Sequence, residues 1–493
     1  MWTTEMEHLE ESITLLEDGL LQNEDSIHTG DGTVNIKGEV AIKSEGGTWK
    51  ACPFLIIEGI CTLTLSAIFS AQSAVFFLGI YLIAVGTGGI KPCIWPFGAD
   101  QFDDTDHKER ASKALFFNWN YFTSNIGALI ATTILVWTEE NIGWGLGYGI
   151  AASFIGIGMI VFFLGTRTYR FLRPGGSPIT RICQVVVASL HKRKLEVPQD
   201  TSLLYETVAE NSSVEGTAVK SDIEKGSEEV TKPWRLCTVT QVEELKILIR
   251  MIPIWATGII FSSVYAQMSS LFIEQGKMMD RTIGSFTIPA ASLSTFNIVG
   301  VIIWVLIYDR VIVKVARHFT GNARGFTVLQ RMGIGLFLSM TCMSAAAILE
   351  SKRLQIAREH GLVDEDVSIP LSILWQIPQY FLLGAAEVFN FIGQHEFFYE
   401  EAPDRMRSFC SALALLTNSL GNYLSSFVVT IVARLTRKDG SHGWLPDNLN
   451  EGHLDYFFWL LAALSFLNML VYIVYARMYK QKTYCRNLSQ RLN

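Results

Sequence analysis

The chain has 493 residues, of which 49% are hydrophobic and 18% are charged, with a formal net charge of −7. A soluble domain carries about 25% charged residues, so this composition argues against an ordinary soluble protein. The charge is unevenly spread. Residues 1–50 hold eleven acids and three lysines, a balance of −8, which leaves the remainder near +1 and gives no basic surface for a nucleic-acid partner.

The acidic head, 1–50, has too little apolar periodicity to bury a core, and reads as a disordered cytosolic tail. It begins with acids rather than a basic stretch followed by an apolar run, so no cleavable signal peptide is expected. Long apolar runs follow at 74–95, 116–138, 144–165, 247–265, 288–312, 327–349, 370–398, 409–434 and 455–477. A helix needs ~20 apolar residues to cross ~30 Å of hydrocarbon, and each run approaches or exceeds that length. A shorter tenth candidate, 54–69, contains Glu58. The expected architecture is therefore all-α and polytopic, with about ten transmembrane helices.

Loop charges set the orientation. The stretch 166–194 contains Arg167, Arg170, Arg173, Arg181, Lys192, Arg193 and Lys194; 103–113 contains Lys108, Arg110 and Lys113; 313–325 contains Lys314, Arg317 and Arg324; the tail after 477 is also basic. With ten spans and a cytosolic N-terminus all four fall on one side, as the positive-inside bias requires. The loop 350–360, with Lys352, Arg353 and Arg358, dissents because it must be external.

The domains expected are an acidic tail (1–50), an incomplete N-terminal bundle (51–165), a cytosolic linker (166–241), a six-helix C-terminal bundle (242–478) and a basic tail (479–493). The linker's middle, 200–232, is rich in Glu, Ser, Thr and Gly. Its sequon Asn211-Ser212-Ser213 should stay unmodified on the cytosolic side. Two bundles joined by a central cytosolic loop is the plan of major facilitator carriers, although four plus six is lopsided. The eight cysteines, Cys52, Cys61, Cys93, Cys183, Cys237, Cys342, Cys410 and Cys485, show no metal-type spacing, and neither zinc nor a structural disulfide is expected.

An ionisable group at bilayer depth is costly, so it is a functional candidate. Lys91 follows Gly86-Thr87-Gly88-Gly89-Ile90 and precedes Pro92; glycines there would let another helix approach closely. Glu387 lies deep in the 370–398 run within Gly384-Ala385-Ala386-Glu387-Val388-Phe389. The two could pair across a central cavity, to be parted by protonation or by a substrate carboxylate. The blander readings are snorkelling for Lys91 and an interhelical hydrogen bond for Glu387. No nucleophile–base pair or phosphate-binding loop lies on an exposed loop, since Gly86-Thr87-Gly88-Gly89 falls inside a span, and no enzymatic activity is expected.

The stretches Gly86-Thr87-Gly88-Gly89-Ile90-Lys91-Pro92 and Phe97-Gly98-Ala99-Asp100-Gln101-Phe102-Asp103 resemble the proton-dependent oligopeptide transporter family in its plant nitrate/peptide branch. So do residues 116–129 (FFNWNYFTSNIGAL), 264–288, 384–399 (GAAEVFNFIGQHEFFY) and 445–459, in family order. The wording is closest to the plant di- and tripeptide transporters. The resemblance implies a major facilitator fold and proton-coupled symport of di- and tripeptides, driven by the proton gradient without a cofactor. It also implies residence in the plasma or vacuolar membrane.

Carried over residue by residue, Lys91 and Glu387 match the coupling pair, with Glu387 facing the substrate amino terminus. Asn125 matches a backbone-binding asparagine, and Tyr265 and Gln267 match cavity-facing positions. A nitrate carrier would be expected to have histidine where Tyr265 stands. Asp100 and Asp103, at the cytosolic mouth, are expected to gate or to cap the loop.

The chain departs from this pattern by an absence. Between Pro53-Phe54 and Cys61-Thr62-Leu63 the family has two further helices, and the first carries a Glu-x-x-Glu-Arg cluster tied to proton coupling. The alternatives are then a transport-incompetent relative, or a carrier of nitrate or another small solute. The groove left open would be filled by lipid, by a second copy, or by an intact relative. Smaller departures are Asn120, Thr123 and Ser124, where apolar or aromatic residues are preferred, and His395 in place of an apolar residue. A lone histidine there reads as packed or interfacial.

Overall fold

In a computed structural model, residues 33–34, 73–103, 106–171, 177–192, 234, 237–284, 286–288, 290–321, 325–365, 367–437 and 443–479 are described. The candidate span 54–69, the linker's middle and both Cys52 and Cys61 lie outside these residues. Nine long helical stretches occur among the described residues, and each overlaps one of the nine apolar runs. Six of them are long and apolar enough to cross a membrane by composition alone.

The N-terminal half contains α1 (Ser73–Ala99), α2 (His107–Ile130) and α4 (Trp144–Leu164). A π turn, Ala131–Leu135, continues α2 into α3 (Val136–Asn141). Asp106 starts α2 by accepting from the Lys108 backbone N–H at 2.8 Å, satisfying one of the orphan donors of a helix start.

Within the expected linker stands a helix that the sequence reading did not anticipate, α5 (Pro178–His191). The C-terminal half comprises α6 (Val239–Tyr265), the short α7 (Leu271–Lys277), α8 (Ser294–Ile307), α9 (Val313–Thr320), α10 (Val328–Glu359), α11 (Ile377–Glu400), α12 (Arg407–Thr436) and α13 (Leu454–Met478). Capping boxes begin α6, with Thr238 and Gln241, and α10, with Thr327 and Gln330. A π turn, Tyr308–Ile312, joins α8 to α9, so the two form one span.

Four short strands lie outside the helices. Strand β1 (Met279–Asp280) pairs in parallel with β4 (Ile369–Ser372), and β2 (Thr282–Ile283) pairs antiparallel with β3 (Phe286–Thr287). The start of the 370–398 run is therefore strand and 3-10 turn, and the helix begins only at Ile377. The acidic head also departs from expectation at one point. Thr33 and Val34 are buried, and Val34 exchanges two backbone hydrogen bonds with Phe171, at 2.9 and 2.8 Å.

The C-terminal half is tightly packed. Helix α10 runs along α11 and α13, α6 along α12, and α8 along α11. Lipid offers no hydrophobic drive between helices, so close backbone approach must supply the attraction. A Cβ at Gly384 would sit 3.0 Å from the Val301 backbone nitrogen on α8, and one at Gly335 would sit 2.7 Å from the Asn390 nitrogen on α11.

The N-terminal half differs. Gly86, Gly88 and Gly89 have nothing within 4 Å of a built Cβ, so the expected close helix approach at these glycines is not made. Tyr81, Val85 and Ile90 of the same stretch of α1 are exposed as well.

Arg353 removes part of the dissent of the external loop. It is fully buried on α10, ion-paired to Glu350 at 2.7 Å, and donates to the Leu449 carbonyl at 2.9 Å and to the Asn450 side chain. Gln275 donates to Glu350 at 2.8 Å, while Gln376 and Gln379 donate to Gln275 at 2.9 and 3.0 Å. A neutralised, buried guanidinium is no loop cation, which removes one charge from the count that opposed the topology. Breaking such a pair from one side strands a charge at about 3–5 kcal/mol. Arg353→Met is therefore expected to lower the thermal unfolding midpoint in detergent sharply. The double change Glu350→Met with Arg353→Met should recover most of the loss.

Candidate functional site

Glu387 lies at mid-length on α11, 4% exposed. Gly384, three residues before it, lets α8 approach closely enough for Asn297 to reach the carboxylate. The Asn297 amide donates to Glu387 Oε2 at 2.8 Å, and the Tyr121 hydroxyl of α2 donates to Oε1. Tyr265, at the end of α6 and edge to face with Phe391 at 5.1 Å, adjoins the same carboxyl group. One carboxylate thus gathers donors from α2 in the N-terminal half and from α8 in the C-terminal half. A carboxylate held by neutral donors can take a proton, or exchange a donor for an incoming ammonium group, without losing a partner cation.

Lys91 is not that partner. It is exposed and has no ion pair or hydrogen bond among the described residues, so the expected Lys91–Glu387 pair is not formed. The physical reason is local. Both Glu387 oxygens already accept hydrogen bonds, and among the described residues α1 packs closely toward its C-terminal end. There Trp95 stacks on Phe117 at 5.7 Å, and Ala99 is fully buried.

The other sequence-selected residues fall around this centre unequally. Asn125, half-buried one turn beyond Tyr121, spends its amide donor on the Tyr121 carbonyl at 2.9 Å. Gln267 is fully buried and ties α6 to α12, donating to the Ser263 carbonyl at 2.9 Å and to Ser425 at 2.8 Å. There it braces α6 against α12.

Tyr121 and Asn297, which hold the carboxylate, were not singled out from the sequence. Asn297 was discoverable as a polar residue within an apolar run; Tyr121 stood inside a quoted motif without a distinguishing mark. His395 lies stacked on Trp95, with ring centroids 4.5 Å apart, as the packed reading of that residue had it.

A second cluster joins the halves at the end where the loop charges lead one to expect the cytosol. Asp100, just beyond α1, accepts from Arg407 of α12 at 2.7 Å and from the Tyr399 hydroxyl of α11, while Arg407 also donates to Tyr399 at 2.8 Å. Burial lifts the Asp100 carboxyl above the usual range, with Arg407 partly opposing it. Nearby, Arg331 of α10 donates to Asn118 of α2 at 2.8 Å and lies over the Tyr308 ring at 4.1 Å. Asp103 does a different job. Its backbone N–H donates to Glu109 at 2.7 Å, and Glu109 in turn pairs with Arg170 at 2.8 Å, so Asp103 belongs to a brace within the N-terminal half.

The POT family model (PTR2) matches residues 51–445. The chain is 50% identical to Protein NRT1/PTR FAMILY 8.3 of Arabidopsis thaliana over 576 residues, covering 96% of this chain and 98% of that protein. It is 54% identical to Protein NRT1/PTR FAMILY 8.5 of the same organism over 429 residues, covering 84% of this chain and 71% of that one. The first alignment is 576 positions long against a chain of 493 residues, so at least 83 of its positions have no residue of this chain opposite them. Two spans of ~20 residues with their loops fit within that length.

The fold is also that of a solved auto-inhibited POT family peptide transporter (TM-score 0.55, 22% identity, 87% of this chain and 82% of that one). It likewise matches the POT family transporter PepTSo (TM-score 0.55, 20% identity, 88% and 85%). Together with the family match, these likenesses make the architecture an all-α major facilitator fold. Matched over most of its length by the family model and by relatives at half identity, the chain belongs to the POT family of multi-pass membrane transporters and is not an enzyme.

Proposed function

We propose that this chain is a proton-coupled symporter of di- and tripeptides that works by alternating access. The observation that carries the reading is the Glu387 carboxylate, held at the seam by Tyr121 from one half and Asn297 from the other. Protonating Glu387, or meeting it with a peptide ammonium group, competes with the Tyr121 bond and frees the halves to move. Tyr265 supports a peptide over nitrate, because its hydroxyl and ring offer no fixed positive charge to an anion. The names of the relatives, Protein NRT1/PTR FAMILY 8.3 and 8.5, state no substrate and leave this choice to the site.

The cytosolic cluster supplies the complementary latch. Asp100, Tyr399 and Arg407 join α1 to α11 and α12, and Arg331 joins α10 to α2 through Asn118, so opening toward the cytosol must part both. The Asp100 carboxyl, raised by burial, is neutralised at milder acidity than an ordinary aspartate, and protonation removes its charge attraction to Arg407. Acidifying the cytosolic side therefore loosens the latch.

Expressed in a yeast lacking peptide uptake, the chain should accumulate labelled dipeptide faster at pH about 5.5 than at about 7.5. Glu387→Gln should abolish accumulation while leaving surface arrival of a fluorescent fusion unchanged. Excess unlabelled dipeptide should compete and nitrate should not. Surface arrival without any uptake would overturn the symporter reading and favour a transport-incompetent relative. In proteoliposomes with equal pH on both faces, dipeptide counterflow should quicken as pH falls. Asp100→Asn should flatten that dependence and raise the rate at neutral pH several-fold, since ~1 kcal/mol of latch corresponds to about fivefold.

A further inference from the structure

Helix α5 follows the membrane-spanning α4 and stands at the cytosolic side of the chain. Its start is locally specified: the Ser177 side chain accepts from the Thr180 backbone N–H, and Pro178 occupies the first turn, where its missing N–H costs nothing. One face is pinned to α6. Val185 and Ala188 are buried, and Arg181 donates twice to Glu244, at 3.1 and 2.8 Å.

The opposite face carries Ile179, Cys183, Val186 and Leu190, spaced i, i+4, i+7 and i+11, and all four are exposed; Ile179 and Leu190 reach 62% and 66%. At about 100° per residue these positions form one narrow apolar stripe turned away from the protein. Left in water, such a stripe forfeits about 25 cal/mol for each Å² of apolar surface.

Two observations say what covers it. The elements beside it also expose apolar side chains of the kind that meet lipid in a membrane protein. Helix α6, to which α5 is pinned, exposes Ile249 and Ile252, and α4 ends in Phe163 and Leu164, exposed at 67% and 71%. Charge is the second. His191 and Lys192, both exposed, close the helix, and Arg193 and Lys194 follow in the chain. A helix with an apolar stripe and a basic end is suited to lie in the plane of an anionic leaflet.

We propose that α5 is an interfacial helix whose Ile179, Cys183, Val186 and Leu190 enter the cytosolic leaflet, while its basic end at Lys192 meets anionic lipid headgroups. The helix would then hold the cytosolic end of α6 at a fixed depth through the Arg181–Glu244 pair. This inference stands whether or not the chain moves peptides.

Cys183, at the centre of the stripe, provides the probe. In the full chain with Cys52, Cys61, Cys93, Cys237 and Cys485 changed to Ser, Cys183 is labelled with a nitroxide and reconstituted into vesicles. The vesicles are either phosphatidylcholine alone or phosphatidylcholine with about 30 mol% phosphatidylserine, whose surface attracts basic residues. The label is expected to collide with oxygen more often than with a water-soluble nickel chelate. The preference should be on the order of threefold larger in the anionic vesicles, in keeping with several basic residues near the surface. Lys192→Gln, Arg193→Gln and Lys194→Gln together should remove the difference between the compositions but keep the insertion. Val186→Asp with Leu190→Asp should expose the label to the chelate, and unchanged folding is checked by retention of the monodisperse detergent-solubilised peak.

A label open to the chelate in both vesicle types overturns the proposal. So does a label shielded from both reagents, which would place a protein against the stripe. Equal depth in both compositions overturns the headgroup recognition.

Discussion

A carboxylate in the middle of a bilayer must be satisfied from within the protein, and the way Glu387 meets that demand organises the molecule. Its two oxygens draw one donor from each half, so the charge that would be costly in hydrocarbon becomes the point where the halves are tied. The packing serves this bond. Gly384 lets α8 come within backbone contact of α11, which is what puts Asn297 in reach, and Gly335 does the same for α10. Replacing either small residue would displace the carboxylate's surroundings before it touched the carboxylate itself.

Helix α2 carries the other side of the seam on one face. Asn118, Tyr121 and Asn125 follow one another at helical spacing, and the first two reach Arg331 and Glu387. Asp100 extends the line past the end of α1. These contacts are polar, directional and few, set between apolar surfaces such as Trp95 on His395. Such a seam comes apart in discrete steps, because each bond is either made or lost, whereas an apolar seam would slide.

Much of this was legible in the sequence because bilayer physics is severe. Nine apolar runs located nine helical stretches, and the depth rule found Glu387 as a buried, bonded carboxylate. The same rule selected Lys91, whose expected pair with Glu387 is not formed here, because a cation's partner depends on which helices lie beside it. The sequence showed two to be missing without showing how α1 would stand in their absence. Arg353 misled in the opposite sense. Counted as a loop cation, it is inside the fold, and only the contacts of Asn450 and Glu350 reveal this. Helix α5 escaped notice because its apolar stripe is narrow and its flanks are polar, so no window long enough to mark a span contains it. Gln267 shows a further limit. A polar residue at depth can be a brace between helices as readily as a lining group, and spacing alone does not distinguish the two.

The open face of α1 bears on how the chain is made. Helices α1 and α2 lean more on α8, α11 and α12 than on each other, while the C-terminal half closes on itself through glycine-mediated contacts. The contacts that hold α1 and α2 against α8, α11 and α12 therefore cannot form until the later half of the chain has been synthesised, so this seam waits for partners made after it.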